Sequence, residues 1–207
     1  MSLFRGLGYA LFCVGGATMA FAGGSYTLGE WQRNDARRNW DESKARAMVA
    51  LARRNATATG PRAIAPGVPV ARLLIPRLLL DEIVIEGVDD YALNAGPGHL
   101  PGSAYPGERG NSVISAHRDR HFATLGEITV GDTVYTEAGA ERTTWVVISK
   151  RVIDADAPAL FHTRDATLTL TTCWPIRYLG SAPERLIVTA KPIPTTVAPS
   201  FADANET

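Results

Sequence analysis

Cysteine is scarce in this chain: the 207 residues hold two, Cys13 and Cys173. A disulfide framework is excluded as the organising device, because Cys13 sits in an apolar N-terminal run and Cys173 ends a β-type run far downstream, so the two are not expected to pair. Charge of either sign is not in excess, with Lys+Arg and Asp+Glu both at 21. That balance removes the case for a nucleic-acid partner and for general attraction to a membrane surface, and confines any basic patch to a local stretch. Repeats are also absent, which sets aside solenoids and propellers. What is present, 45% hydrophobic and 20% charged residues, suits one globular core of ordinary size with accessory segments.

The accessory segments come first. Residues 6–29 carry no charge, a run of 24 positions. As a helix it would reach about 36 Å, enough to cross a bilayer. A cleaved signal peptide is the rival reading, since Ala20-Phe21-Ala22 is an A-x-A site after a short apolar core. Apolar sequence continues to Leu28 and Trp31 follows at an interfacial position, so residues 1–29 are read as an uncleaved membrane anchor. The bases after it (Arg33, Arg37, Arg38, Lys44, Arg46) run against the positive-inside rule, but large domains translocate with limited regard to charge; the expected placement is single-pass in the inner, cytoplasmic membrane, with the downstream domain facing the periplasm or outside. Residues 30–59 are read as an amphipathic stalk helix, with Asn39 as cap, Glu42 three positions on, and Trp40, Ala47, Met48 and Leu51 on one face. Both a solvated spacer and a basic face resting on anionic lipid suit that helix. Gly60-Pro61, Pro66-Gly67 and Pro69 mark a linker over 60–69, and residues 194–207 form a polar tail expected to be disordered.

Between them, residues 70–193 carry short strand-like runs at 70–75, 83–86, 112–117, 133–137, 143–152, 167–173 and 185–191, with Gly131-Asp132 and Ala138-Gly139 at expected hairpin turns. The pattern predicts an all-β closed barrel or sandwich, with helix limited to connectors at 90–103 and 119–127, where Phe122, Leu125 and Ile128 have helical spacing. The run Thr167-Leu168-Thr169-Leu170-Thr171-Thr172-Cys173 alternates so that Leu168 and Leu170 face one side, and Thr167, Thr169, Thr171 and Cys173 the other. Pro175 cannot donate to a ladder, so pairing should end near Trp174 and leave the thiol at the lip of the sheet. His117 ends a second strand, sharing a face with Val113 and Ser115. Arg185 opens a third, twelve positions after Cys173; if these two strands pair antiparallel, the arginine reaches the space over the thiol. A thiol needs a base or cation to act as a nucleophile, and a tetrahedral intermediate needs donors for its oxyanion.

The pattern Thr-Leu-x-Thr-Cys at 169–173, the Ser115-Ala116-His117 segment and the trailing Arg185 resemble the sortases, cysteine transpeptidases of the bacterial envelope. The segments Gly98-His99-Leu100-Pro101-Gly102-Ser103, Gly110-Asn111 and His117-Arg118-Asp119-Arg120-His121-Phe122 look like the sortases of Gram-negative bacteria, class GN. The resemblance implies a closed sortase-type barrel of about eight strands, Cys173 as nucleophile, His117 as general acid/base and Arg185 positioning the substrate and oxyanion, with Thr171 and Thr172 in support. It also implies a secreted partner with a C-terminal Leu-Pro-x-Thr-Gly-like sorting signal, cut at Thr-Gly through a thioester and passed to an amine whose identity is open. No cofactor or metal is implied, and the catalytic domain is expected to be monomeric. With unperturbed pKa values of ~8.5 and ~6.5, thiolate and imidazolium coexist in roughly one per cent of molecules near pH 7.5, so turnover should be slow.

Other readings use the same residues. An envelope cysteine hydrolase would take water as acceptor, and a membrane-tethered peptide-binding module would not turn over; an L,D-transpeptidase is disfavoured because no Ser-x-Gly-Cys motif is present. His117 and His121, four apart, would share a helix face and could hold a metal if that stretch were helical. His99 and His162 are read as ordinary surface groups in loops, and Arg118 and Asp119 as candidates to pair beside the site.

Overall fold

The computed structural model describes residues 11–21, 24, 31–42, 64–139, 141–157 and 163–193. Eight strands, β1 (Pro69–Ile75), β2 (Leu80–Glu86), β3 (Gly98–His99), β4 (Asn111–Ser115), β5 (Thr133–Ala138), β6 (Glu141–Asp154), β7 (Thr167–Trp174) and β8 (Glu184–Pro192), close into a barrel in the order β1-β2-β3-β4-β7-β8-β6-β5, and β5 returns to β1. Closure leaves no unpaired sheet edge to be covered. Alternation within the strands fills the interior: Leu73, Ile75, Val84, Val134, Trp145, Val147, Leu168, Leu170, Leu186, Val188 and Ala190 form one buried cluster. Trp145 is fully enclosed, and its indole N–H donates to Thr136 Oγ1 at 2.8 Å, so the largest core side chain leaves no buried donor unpaired.

Two expected connectors take other forms. Helix in the first is confined to Asp90–Ala95, where Asp89 caps by accepting from the Ala92 amide. The chain then turns extended at once, because Gly98–His99 pairs parallel with β2 and antiparallel with β4. That approach requires glycine: a Cβ on Gly98 would lie 2.2 Å from the carbonyl oxygen of Gly87. In the second, residues 118–124 form turns and only Leu125–Glu127 is a 3-10 helix, yet Phe122, Leu125 and Ile128 are all fully buried. Their threefold spacing served core packing rather than an α-helix. Gly139 does sit in a β5–β6 hairpin, with Ala138 paired to Glu141, whereas Gly131 leads into β5 from the 3-10 segment and joins no hairpin.

The N-terminal segments also depart from a free stalk on a linker. Residues 31–42 are helical, and Ala36 and Trp40, four apart on one face, are buried against Ile83, Ile85, Ala92 and Ala95. β2 is therefore covered on both sides, Val84 contributing to the barrel core and Ile83 and Ile85 to this second cluster. Arg37 donates to the Asp81 carbonyl at 2.6 Å and Arg33 lies 3.6 Å from Glu82. The end of the supposed linker is structured as well: Ile64 packs on the core, and the Gly67 amide donates to Glu86 O at 2.8 Å. Residues 11–21 are helical; no helix among the described residues is long and apolar enough to cross a membrane. Most of the expected anchor, the remainder of the stalk and the 194–207 tail lie outside the described residues.

Candidate active site

Three strands define the site. β7 is the middle one, paired parallel with β4 and antiparallel with β8. Parallel pairing brings the C-terminal ends of β4 and β7 to the same lip, and antiparallel pairing brings the start of β8 to it. In the β7–β8 ladder Cys173 is opposite Arg185, and Arg185 Nη1 donates to Cys173 Sγ at 2.6 Å. The β4–β7 register runs Asn111–Thr167 to Ser115–Thr171, and Ala116 extends it by donating its amide to Thr171 O at 3.1 Å. Continued for two positions, this register sets His117 level with Cys173. The sequence places all three residues on strand ends; the barrel's order brings those ends side by side.

Thr171 is half-buried and spends its carbonyl on that Ala116 amide. Thr172 points into the interior, and its hydroxyl donates to Ala116 O at 2.7 Å. Its side chain is thus a tie between β7 and the residue before His117, rather than a donor turned toward an oxyanion. Further down the outer face, Thr169 Oγ1 donates to Asn111 Oδ1 at 2.8 Å and Lys191 Nζ donates to Thr167 Oγ1 at 2.7 Å. These contacts bury both threonines on a face where sequence alternation alone predicts exposure.

His117 ends β4's extension and begins a turn built on its own carbonyl, which accepts from the amides of Phe122 at 3.1 Å and Arg120 at 3.4 Å. Phe122 anchors the turn in the core. Burial pushes the His117 imidazole below its ordinary pKa; Asp119 and Asp90 oppose the shift, while Arg120 and His121 add to it. Neutral imidazole is therefore the form favoured at neutral pH. The adjacent Arg118 donates to three carbonyls of the loop after Cys173: Pro175 at 3.3 Å, Tyr178 at 2.9 Å and Gly180 at 2.7 Å.

The remaining histidines differ from the sequence reading. His99 is fully buried on β3 rather than on a surface loop; its Nδ1 lies 2.7 Å from Glu86 Oε2, its Nε2 is within 3.0 Å of Ala104 O and Ser103 Oγ, and its ring stacks on Tyr105 at 4.7 Å. It braces the β3–β4 loop. That loop, with Asn111, Val113 and Thr163, lines a cavity of about 420 Å³ on the face of β4 that His117 shares. His121 is buried with Nδ1 3.3 Å from Glu82, in turns rather than a helix, so the helical pairing with His117 does not arise. His162 is outside the described residues. Sequence reading missed Glu86, Glu82 and Asn111 as partners; an acidic residue inside an apolar strand such as β2 was the available signal.

Known proteins similar to this chain share its family and its fold. The sortase domain family model matches residues 73–193. Sortase D of Bacillus subtilis (strain 168) is 34% identical over 122 residues, which cover 58% of this chain and 61% of that protein, so the chain matches less than two thirds of its relative's length. Among solved structures, a sortase D5 transpeptidase of Clostridium perfringens superposes with a TM-score of 0.62 at 21% identity, covering 81% of this chain and 99% of that one, a likeness of fold. Sortase A of Corynebacterium diphtheriae superposes with a TM-score of 0.57 at 26% identity, over 67% and 65% of the two chains. With the family model spanning more than half of its residues, the chain belongs to the sortase family.

Proposed function

We propose that this chain is a cysteine transpeptidase that cuts a Leu-Pro-x-Thr-Gly-like signal near the C-terminus of a secreted protein and passes the acyl group to an amine. One observation carries the reading: the antiparallel register that sets Arg185 opposite Cys173, with β4 paired parallel on the other side so that His117 falls at the same lip. In the proposed reaction the Cys173 sulfur attacks the threonine carbonyl and a tetrahedral intermediate forms. Its oxyanion takes hydrogen bonds from Arg185, which the contact to Sγ already aims at the reacting atom. His117, favoured as the neutral base by burial, accepts the thiol proton and returns it to the departing glycine nitrogen as the C–N bond breaks. A thioester remains. The incoming amine attacks it, His117 takes the amine's proton, and the thiol is restored as the C–S bond breaks.

The cavity beside Asn111 and Val113 is a suitable bed for the signal peptide, being on the same face of β4 as His117. The Gly98–Ser103 and His117–Phe122 segments support a sortase of the Gram-negative class. The uncharged run at 6–29 is long enough for a single-pass anchor in the cytoplasmic membrane, and a barrel facing outside is the placement at which it would meet a secreted substrate. The test is mass spectrometry of the protein mixed with a Leu-Pro-x-Thr-Gly peptide, with and without added amine. A thioester on Cys173 that amine converts to a transpeptidation product supports the reading. Hydrolysis alone at saturating amine would make the chain a hydrolase, and absence of any adduct would make it a binding module.

A further inference from the structure

The loop joining β7 to β8, residues 175–183, connects the strand that carries Cys173 to the strand that carries Arg185. It has little of its own to hold it. Its residues form only bends, and the backbone hydrogen bonds of the described residues include none between two members of this loop. Tyr178 and Leu179 at its tip are exposed, Leu179 at 98%. Its far end is tied by the Ala155 amide, which donates to Pro183 O at 3.0 Å, and Ile176 is half-buried near Gly126. Across the site, among the described residues, one guanidinium gathers the rest: Arg118 donates to the carbonyls of Pro175, Tyr178 and Gly180, and lies over the Tyr178 ring at 5.7 Å from its centroid. Arg118 follows His117 directly, in the turn that Phe122 anchors in the core.

We propose that Arg118 is a positioning residue, a clamp that ties the His117 turn to the Cys173–Arg185 loop and so sets the distance across which His117 and Cys173 exchange a proton. The β4–β7 ladder stops at the Ala116–Thr171 hydrogen bond, one residue short of His117, so the ladder alone does not fix the turn over the thiol. A planar fork of donors is suited to this task, because it spans carbonyls on residues 175, 178 and 180 at once; an ammonium would occupy one point among them. Geometry of this kind matters at the rate level, since a displacement of about 1 Å at reacting groups costs on the order of 10²-fold. The catalytic consequence rests on the transpeptidase reading; the clamp itself does not.

The experiment uses the full chain with Arg118→Ala and Arg118→Lys and reads two quantities. One is the rate of trypsin cleavage after Arg177, an exposed site inside the loop. The other is acyl transfer from a Leu-Pro-x-Thr-Gly peptide, resolved into kcat and KM. Cleavage after Arg177 is expected to rise at least tenfold in both variants, and kcat to fall about 10- to 100-fold with KM within threefold. The pH profile of Cys173 alkylation should stay in place. Full rescue by lysine would overturn the proposal in favour of a simple charge effect, and so would unchanged trypsin sensitivity in Arg118→Ala. If Arg118→Ala fails to fold, Tyr178→Ala removes the stacked ring from an exposed position and should raise cleavage about threefold; no change would count against the clamp. Loss of Arg177 protection in a protein whose wild type transfers no acyl group would support the clamp and remove the transpeptidase reading.

Discussion

Trp40→Ala should release the 31–42 helix while the barrel stays folded. The indole is buried with Ala36 against Ile83, Ile85, Ala92 and Ala95, a cluster separate from the barrel core. A buried tryptophan covers about 150–250 Å². At about 25 cal/mol per Å² that is ~4–6 kcal/mol as an upper bound, in line with the ~3–5 kcal/mol typical of aromatic-to-alanine changes in cores. The polar ties are smaller: the pair of partly buried Arg33 with buried Glu82, at 3.6 Å, and the Arg37 hydrogen bond to Asp81 O contribute on the order of 1 kcal/mol each. Losing the indole therefore outweighs what the polar ties retain. Hydrogen exchange read by mass spectrometry is the assay. Protection over 31–42 and over the Ile83–Ile85 side of β2 should fall about 10²-fold, equivalent to ~3 kcal/mol, while β7 and β8 keep theirs. Unchanged protection over 31–42 would refute the docking argument. A uniform loss across all strands would show that helix and barrel unfold as one unit. The same reasoning predicts that removing residues 1–60 bares Ile83 and Ile85, giving a barrel of lower Tm that self-associates.

Other perturbations address the site. Cys173→Ala should abolish acyl transfer with a Tm within a few degrees of wild type, since the thiol is half-buried at a strand lip; residual activity above a tenth would remove the nucleophile assignment. Arg185→Lys keeps a cation but misplaces the donors now aimed at Sγ, and should lower transfer about 10²–10³-fold with the Cys173 alkylation profile little changed; a parallel fall in both would assign Arg185 to thiolate stabilisation instead. His117 is held below its ordinary pKa in the fold, so as pH falls through the unfolded-state value of ~6.5 the unfolded chain binds a proton that the folded site resists. Stability should drop with falling pH down to the folded-state pKa and then level off for this group. Compared with His117→Gln, wild type should show the steeper loss of Tm below pH 6.5; parallel curves would mean that burial does not shift the group.

Sequence by itself determined what is local. Threonine and leucine alternate through 167–172, so Leu168 and Leu170 had to share a face; Pro175 cannot donate, so the strand had to stop near Trp174, and it does. Cys173 and Arg185, twelve positions apart on either side of one loop, meet by antiparallel pairing, and the register sets them opposite. Tertiary structure decided whatever depends on what lies on the other side of an element. No periodicity shows that β4 joins β7 in parallel, because such a pair is assembled across more than fifty residues of intervening chain. His99 read as a loop histidine because a two-residue strand has no pattern, and its burial depends on Glu86 arriving from β2 to receive it. Phe122, Leu125 and Ile128 had helical spacing and became core residues of turns, since a tight run of turns also returns every third side chain to the same side. Trp40 marked an apolar helix face without naming its occupant; Ile83 and Ile85 do so, because a strand buried on both faces must be covered by something outside the barrel.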